Sequence, residues 1–172
     1  MFNHVKSSIS WNGIENWGSI DGIKKAWKNK TGNSAEINAI LYNLLKKSGV
    51  KAYPMLVSTR ENGILNPSFV NIFQVNNLVT YVPVDSTKYY VLDASNKYNT
   101  YNQIPYNLLN SYGLTLDKEN DKYTMVYIKS FIPARESVSI SAEIAANGIM
   151  RGNSMILSYN YHKTDKVKQY KS

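Results

Sequence analysis

The chain has 172 residues, of which 43% are hydrophobic, and a formal net charge of +8. This length suits one domain of ordinary size with a buried core. The absence of cysteine excludes disulfides, thiolate metal sites and a cysteine nucleophile, and two histidines are too few for a histidine-rich zinc site. No apolar run approaches the roughly 20 residues of a transmembrane helix. We therefore expect no membrane span, no metal and no cofactor.

The positive charge is concentrated in two groups of lysines, one within residues 24–30 and one within residues 163–171. Such clusters are typical of proteins that bind anionic polymers or lipid surfaces. They also occur on solvated helix faces and loose tails. We favour the second interpretation because no recognisable nucleic-acid-binding module carries the charge, so nucleic acid is not an expected partner.

The first predicted elements are helical. Residues 1–10 are typical of the end of a helix, and Asp21 is a candidate N-cap for a short helix over residues 22–29. Thr31 and Gly32 end this helix.

The next helix has the clearest pattern in the chain. Asn33 is a good N-cap, and Glu36 three residues later completes a capping-box-like pair. A broad apolar stripe follows, made of Ile37, Ile40, Leu41, Leu44 and Leu45. Gly49 is a typical residue for the end of the helix.

Three strands are predicted after this helix, over residues 50–58, 77–82 and 88–92. Pro54 lies in the first of them and indicates an edge strand or an irregular one, because proline cannot donate a ladder hydrogen bond. Residues 96–113 are predicted to be an irregular loop.

The C-terminal part has the alternating pattern of antiparallel strands. The predicted strands cover residues 123–132, 137–145 and 149–161, and Asn147-Gly148 is a hairpin turn signal. We divide the chain into a main domain, 1–113, a β-rich extension, 114–162, interpreted as the start of a following β domain, and a disordered tail, 163–172.

Four sequence pieces then occur in a recognisable order. Gly32-Asn33-Ser34 precedes the central helix, and Gly-Val-Lys-Ala-Tyr-Pro enters a strand at residues 49–54. Asn77 lies early in a later strand, and Leu92-Asp93-Ala94-Ser95 ends another. This order resembles the transglutaminase-like superfamily, most closely the transglutaminase-like domains of large, multi-domain exported proteins of Bacteroidetes-type bacteria. The resemblance covers residues 1–113.

The resemblance implies an α+β fold of transglutaminase-like, or papain-like, type: a central helix packed on an antiparallel sheet, with additional C-terminal β-strands. By position, Ser34 stands where the family has its cysteine nucleophile and Asn77 where it has its histidine, whereas Asp93 retains the third triad residue. Trp11 falls at the upstream position that shapes an oxyanion pocket. The resemblance also implies a periplasmic or cell-surface location, although residues 1–6 lack the apolar stretch of a signal peptide.

The replaced residues are a poor catalytic pair. A serine hydroxyl must lose its proton to a base during attack, and the amide of Asn77 does not accept a proton near neutrality. Loss of the nucleophile and base of such a triad typically lowers kcat by about 10⁶. Ser34 is also an ordinary helix-start residue, and Asn77 is expected to hydrogen-bond Ser34 or Asp93. His4 and His162 are alternative bases, but neither lies in a motif.

These observations predict a catalytically degenerate domain that acts as a binding or structural module. Its expected partners are a peptide, protein or glycan in the former active-site cleft, together with neighbouring domains of the parent protein. The alternative is an active hydrolase or acyltransferase, of peptidase, amidase or transglutaminase type, that uses Ser34 with an unusual base. An electrostatic binder of an anionic polymer is a further possibility, and its affinity would fall steeply with salt.

Overall fold

The computed structural model describes residues 1–69 and 71–171. The chain divides into two compact units, of which the first covers Met1–Ser130 and the second begins at Phe131. The described residues have an α+β fold, as predicted, with four helices and mostly antiparallel strands. None of the helices in this described part has the length and apolar character needed to cross a bilayer.

The described residues of the first unit form three α-helices and seven strands. In chain order they are α1 (Phe2–Ser8), β1 (Ser10–Trp11), α2 (Ile23–Asn29), β2 (Thr31–Gly32), α3 (Ser34–Lys47), β3 (Tyr53–Val57), β4 (Asn77–Pro83), β5 (Tyr89–Leu92), β6 (Ser111–Asp117) and β7 (Lys122–Ile128). The predicted helices and strands of this region are all present. β6 was not predicted, because its first three residues fall in the segment expected to be a loop.

Helix α3 begins with the predicted capping box. The side chain of Asn33 accepts a hydrogen bond from the Glu36 N–H at 2.8 Å, and the Glu36 carboxylate accepts one from the Asn33 N–H at 3.0 Å. The apolar stripe then carries Ile37 and Leu41 into the core, where both are fully buried. Burial of each of these side chains contributes about 1.5–3 kcal/mol.

Helix α2 begins differently from the prediction. Its N-cap is Gly22, without a side-chain capping bond, and Asp21 instead accepts an exposed hydrogen bond from Lys25 at 2.8 Å. The ammonium of Lys30 lies 3.8 Å from the centre of the Trp27 ring. Two lysines of the basic group thus have local partners.

The main sheet has five strands in the order β5-β4-β3-β6-β7, and all its neighbours are antiparallel. One face packs against α3 through Leu92, and the partly buried Val82 and Tyr90 join this core. The other face encloses a second core, made of Met55, Val57, Val79, Val91, Leu108 and Ile128. The sheet is curled around this second core.

A tyrosine hydroxyl connects the two ends of the curled sheet. Tyr89, on edge strand β5, donates to the carbonyl of Tyr127 at 3.1 Å and accepts from the Lys129 N–H at 3.2 Å. Tyr127 belongs to the opposite edge strand, β7. These bonds hold the edges together and explain why the second core is enclosed.

Pro54 was predicted to mark an edge strand or an irregular one. The edge strand is wrong, since β3 is the middle strand of the sheet. Pro54 pairs with Thr80 of β4, but the ladder between β3 and β6 covers only Met55, Leu56 and Val57. The proline therefore lies just outside the second ladder, where its missing N–H costs no interstrand bond.

The first unit extends beyond the boundary expected at residue 113. That boundary falls inside β6, which pairs with β3 on one side and with β7 on the other. These ladders keep both strands in the first compact unit, which ends at Ser130. Residues 114–130 therefore belong with the main sheet and not with the C-terminal hairpin.

The second unit contains the predicted hairpin, formed by β8 (Arg135–Ile144) and β9 (Met150–Tyr159). Helix α4 (Tyr161–Lys171) follows, so the prediction of a disordered tail is wrong for residues 163–171; residue 172 lies outside the described residues. Asn160 adopts a positive φ of 54°, which turns the chain from strand into helix. The lysine-rich composition does not oppose this, because lysine is a good helix former.

Candidate functional site

Ser34 lies at the first turn of α3 beneath another part of the chain. It is fully buried, with 0% of its surface exposed. Its hydroxyl donates to the carbonyl of Asn16 at 3.1 Å and accepts from the Asn16 N–H at 3.0 Å. We call residues 12–18 the covering segment. The hydroxyl of Ser34 is thus occupied by the backbone of this segment.

The covering segment also connects Trp11 to Ser34. The carbonyl of Ile14 accepts the Ser34 N–H at 3.1 Å and the indole N–H of Trp11 at 2.9 Å. Two N–H donors at this distance from one oxygen form the arrangement that stabilises an oxyanion in acyl transfer. Here the oxygen between them belongs to the protein itself.

Glu15 connects the covering segment to residues just after β3 and just before β4. Its carboxylate accepts hydrogen bonds from the Asn76 side chain at 3.1 Å and from the Thr59 hydroxyl at 3.5 Å. Burial raises the pKa of Glu15, and the negative charges of Asp93 and Glu61 raise it further. A protonated Glu15 is therefore favoured more than in an ordinary surface carboxyl.

Glu36 holds the chain that follows the covering segment. Its Oε1 accepts four hydrogen bonds, from the Ser19 hydroxyl at 3.0 Å and from the N–H groups of Ile20, Asp21 and Gly22 at 3.0, 2.7 and 3.0 Å. Successive N–H groups that converge in this way form an anion-binding nest. Burial alone would raise the pKa of Glu36, but these bonds and the one from the Asn33 N–H hold it below its ordinary value.

Gly32 is required by this packing. A Cβ atom at this position would lie 2.9 Å from the Cβ of Ala26 and 3.0 Å from the Oε2 of Glu36. The first of these contacts is shorter than folded proteins show, so any other residue would force Ala26 or Glu36 to shift. The glycine in the Gly-Asn-Ser sequence is therefore explained by the close approach of Glu36.

Asp93 is oriented by Asn38 and not by Asn77. Its Oδ1 accepts from the Asn38 side chain at 2.9 Å and from the Ser95 N–H and hydroxyl at 3.0 and 2.6 Å. The Asn38 side chain also donates to the Leu78 carbonyl and accepts from the Ala94 N–H. Asn38 therefore joins α3, β4 and the end of β5 through one buried amide.

Asn77 is buried at the start of β4, with 2% of its surface exposed. Its Oδ1 accepts from the N–H of Leu78 at 2.8 Å. The hydrogen bond expected from Asn77 to Ser34 or Asp93 is not formed among the described residues. The three predicted site residues are thus all buried, but each is bonded to other groups.

The two histidines, which were considered as alternative bases, belong to helices α1 and α4. The ring of His4 lies against Trp27, with 6.4 Å between ring centres. His162 belongs to helix α4 of the second unit. Within the described residues, no group of three or more acidic or histidine side chains is arranged to hold a metal ion.

Comparisons with family models, with curated proteins and with solved structures gave no match to this chain. The contacts of Ser34 determine what chemistry it can perform. Those contacts leave the Ser34 hydroxyl bonded to a backbone carbonyl, which cannot accept a proton at neutral pH.

Sequence reasoning did not single out Asn16, Glu15 or Asn38. Asn38 had a usable signal, because it lies four residues after Ser34 on the same face of α3, beside the apolar stripe. Asn16 bonds Ser34 through its backbone, which any residue supplies, while its side chain accepts the Gly18 N–H in a local turn that does not point to Ser34. Glu15 contacts Thr59 and Asn76, which are distant in sequence, and no local pattern predicts such a contact.

Proposed function

We propose that this chain contains a catalytically degenerate transglutaminase-like domain that acts as a binding or structural module in a larger exported protein, at the cell surface or in the periplasm. The observation that carries the proposal is the buried Ser34, whose hydroxyl and N–H are both bonded to the covering segment. Nucleophilic attack needs an exposed hydroxyl within reach of a base. Neither condition is met at Ser34.

The pocket geometry supports descent from an acyl-transfer site. Trp11 and Ser34 direct two N–H groups to one oxygen, as the resemblance implies for an oxyanion pocket. That oxygen is the carbonyl of Ile14, so the pocket now stabilises the protein's own backbone. We interpret the pocket as a retained structural contact.

The binding part of the proposal is supported by the outer surface of the same region. Four large apolar side chains there are between 44% and 59% exposed: Trp11, Ile14, Trp17 and Ile20. Exposed apolar groups in one short stretch are typical of interaction sites, and tryptophan is enriched among the residues that dominate binding energy. The partner class is a peptide, protein or glycan that contacts this outer surface.

The proposal predicts no Ser34-dependent turnover. The full chain and its Ser34→Ala variant should give equal, background rates in assays of glutamine–lysine crosslinking, amide hydrolysis and peptide hydrolysis. Both should also remain unlabelled at position 34 by a fluorophosphonate probe, with a known serine hydrolase as the positive control. Turnover or labelling that Ser34→Ala abolishes would establish the alternative, an active hydrolase or acyltransferase.

The double variant Ser34→Cys with Asn77→His provides a second comparison. It restores the two triad residues but leaves the covering segment in place. We expect it to stay inactive as well, because the segment continues to occupy the nucleophile and the pocket. Activity in the double variant alone would mean that the side-chain replacements, and not the covering segment, silence the site.

A further inference from the structure

A cavity opens at the end of the curled sheet that lies away from the covering segment. It has a volume of about 430 Å³, within the range of small-molecule sites. Tyr53 and Tyr81 are cross-strand partners at its wall, at the opposite end of β3 from Val57. Thr59 and Asn76, which bond the covering segment, adjoin that other end. This cavity is therefore separate from the site at Ser34.

The lining of the cavity is polar and aromatic. Thr115 and Thr124 form a cross-strand pair of hydroxyl-bearing side chains at its wall, and only Pro83 and Val126 contribute purely apolar side chains. Burial raises the pKa of the Tyr81 hydroxyl, and so does the neighbouring Tyr89, so Tyr81 remains an O–H donor at neutral pH. Such a lining suits a ligand that carries several hydroxyl groups.

Two ammonium groups give the cavity a positive character. Lys51 and Lys122 both line it, and the two ion pairs formed among the described residues involve other lysines. Asp117 is the acidic group of the cavity. Hydrogen bonds from the Asn120 side chain, the backbone N–H groups of the turn and the Tyr53 hydroxyl already engage its carboxylate and lower its pKa.

We propose that this cavity binds an acidic sugar, that is, a hydroxyl-rich ring carrying one carboxylate. The tyrosine rings supply apolar faces on which the C–H groups of a sugar ring pack. The exposed Thr124 hydroxyl and the side-chain carbonyl of Asn120 supply hydrogen-bond partners for its hydroxyls, whereas the Thr115 hydroxyl donates to the Thr124 carbonyl and the Asn120 amide group to Asp117. Lys51 and Lys122 select a carboxylate, since charge-assisted hydrogen bonds are the stronger ones.

The test is a titration of the full, ¹⁵N-labelled chain, followed by amide chemical shifts, with glucuronic acid as the probe. We expect saturable shifts in β6 and β7 around Thr115 and Thr124, with a Kd of about 1 mM or tighter. Glucose at the same concentrations tests whether binding needs the carboxylate. Acetate and phosphate test whether an anion without a sugar ring binds equally well.

Two lysine variants, one inside the cavity and one outside it, test whether the ligand binds in this cavity. Lys122→Ala should weaken glucuronic acid binding about tenfold. Lys118→Ala removes the same charge from an exposed position on the same β6–β7 turn, outside this cavity, and should leave the affinity unchanged. The spectra of both variants without ligand show directly whether each remains folded.

The other outcomes overturn the proposal. Equal binding of glucose shows that the lysines do not select an acid, and equal binding of acetate or phosphate shows that no sugar is recognised. An equal loss in Lys118→Ala shows that general surface charge is responsible. The absence of saturable shifts with glucuronic acid shows that the cavity does not bind acidic sugars. None of these results depends on whether Ser34 is catalytic.

Discussion

The variant Glu36→Gln is expected to lower the free energy of unfolding of the first unit by about 3 kcal/mol or more. The Glu36 carboxylate is 2% exposed and accepts five hydrogen bonds, four on one oxygen. An amide keeps one acceptor oxygen and replaces the other with an NH₂ group, so with the oxygen at the four-bond position the Asn33 N–H faces a donor and loses its partner. Chemical denaturation followed by tryptophan fluorescence measures the loss, because all three tryptophans lie in this unit.

The control is Glu119→Gln, which removes the same charge from an exposed ion pair with Lys46. Exposed pairs contribute little to stability, so its midpoint should stay close to that of the natural chain. Equal losses in the two variants would show that the bonds around Glu36 do not stabilise the fold.

The effect of Glu36 should also depend on pH. Its pKa in the folded chain lies below the ordinary value of 4.5, so the unfolded chain binds more protons between these two values. The stabilisation from this carboxylate is therefore fully present above pH 4.5 and is lost as the pH falls through the folded pKa. The difference between the natural chain and Glu36→Gln should shrink over that acidic range.

Asn38→Ala is expected to be the second strongly destabilising substitution, with a loss of about 3 kcal/mol or more. Its side chain is fully buried and bonds Asp93, the Leu78 carbonyl and the Ala94 N–H. Alanine removes all three bonds: the Leu78 carbonyl and the Ala94 N–H lose the amide as their partner, and Asp93 keeps only its other donors, such as Ser95. The same fluorescence measurement detects the loss.

Asn43→Ala is the matched control on the same helix. Asn43 is exposed, and its side chain bonds, within the described part of the chain, only the carbonyl of Ala39 one turn earlier. Alanine is the best helix former, so this variant should be within about 0.5 kcal/mol of the natural chain. A comparable loss in both variants would contradict the role of Asn38 as the link between α3 and the sheet.

Local patterns predicted the elements of the fold well. The capping box of Asn33 and Glu36, together with the apolar stripe, predicted α3. The alternation of apolar and polar residues predicted the strands. β6 was not predicted: Ser111-Tyr112-Gly113 fall in the segment expected to be a loop, and residues 114–117 were assigned to no strand. Its strand structure comes from ladders with β3 and β7, which are tertiary pairings that a local pattern does not contain.

The contacts of the predicted site residues were not predicted from the sequence. The motif order selected Ser34, Asn77 and Asp93, and all three are buried in the first unit. The covering segment was not predicted, because its main bonds come from the carbonyl of Ile14 and the backbone of Asn16. Backbone groups are the same in every residue, so their tertiary use leaves no sequence signal.

Hydrogen exchange at the Asn16 N–H tests most directly whether the covering segment occupies Ser34. We predict exchange about 100-fold or more slower than in an unstructured peptide, because this N–H donates to the Ser34 hydroxyl. In Ser34→Ala the Asn16 N–H should exchange faster, whereas the N–H of residue 34, bonded to the Ile14 carbonyl, should stay slow. Exchange at the unstructured rate at Asn16 in the natural chain would show an open site and contradict the account.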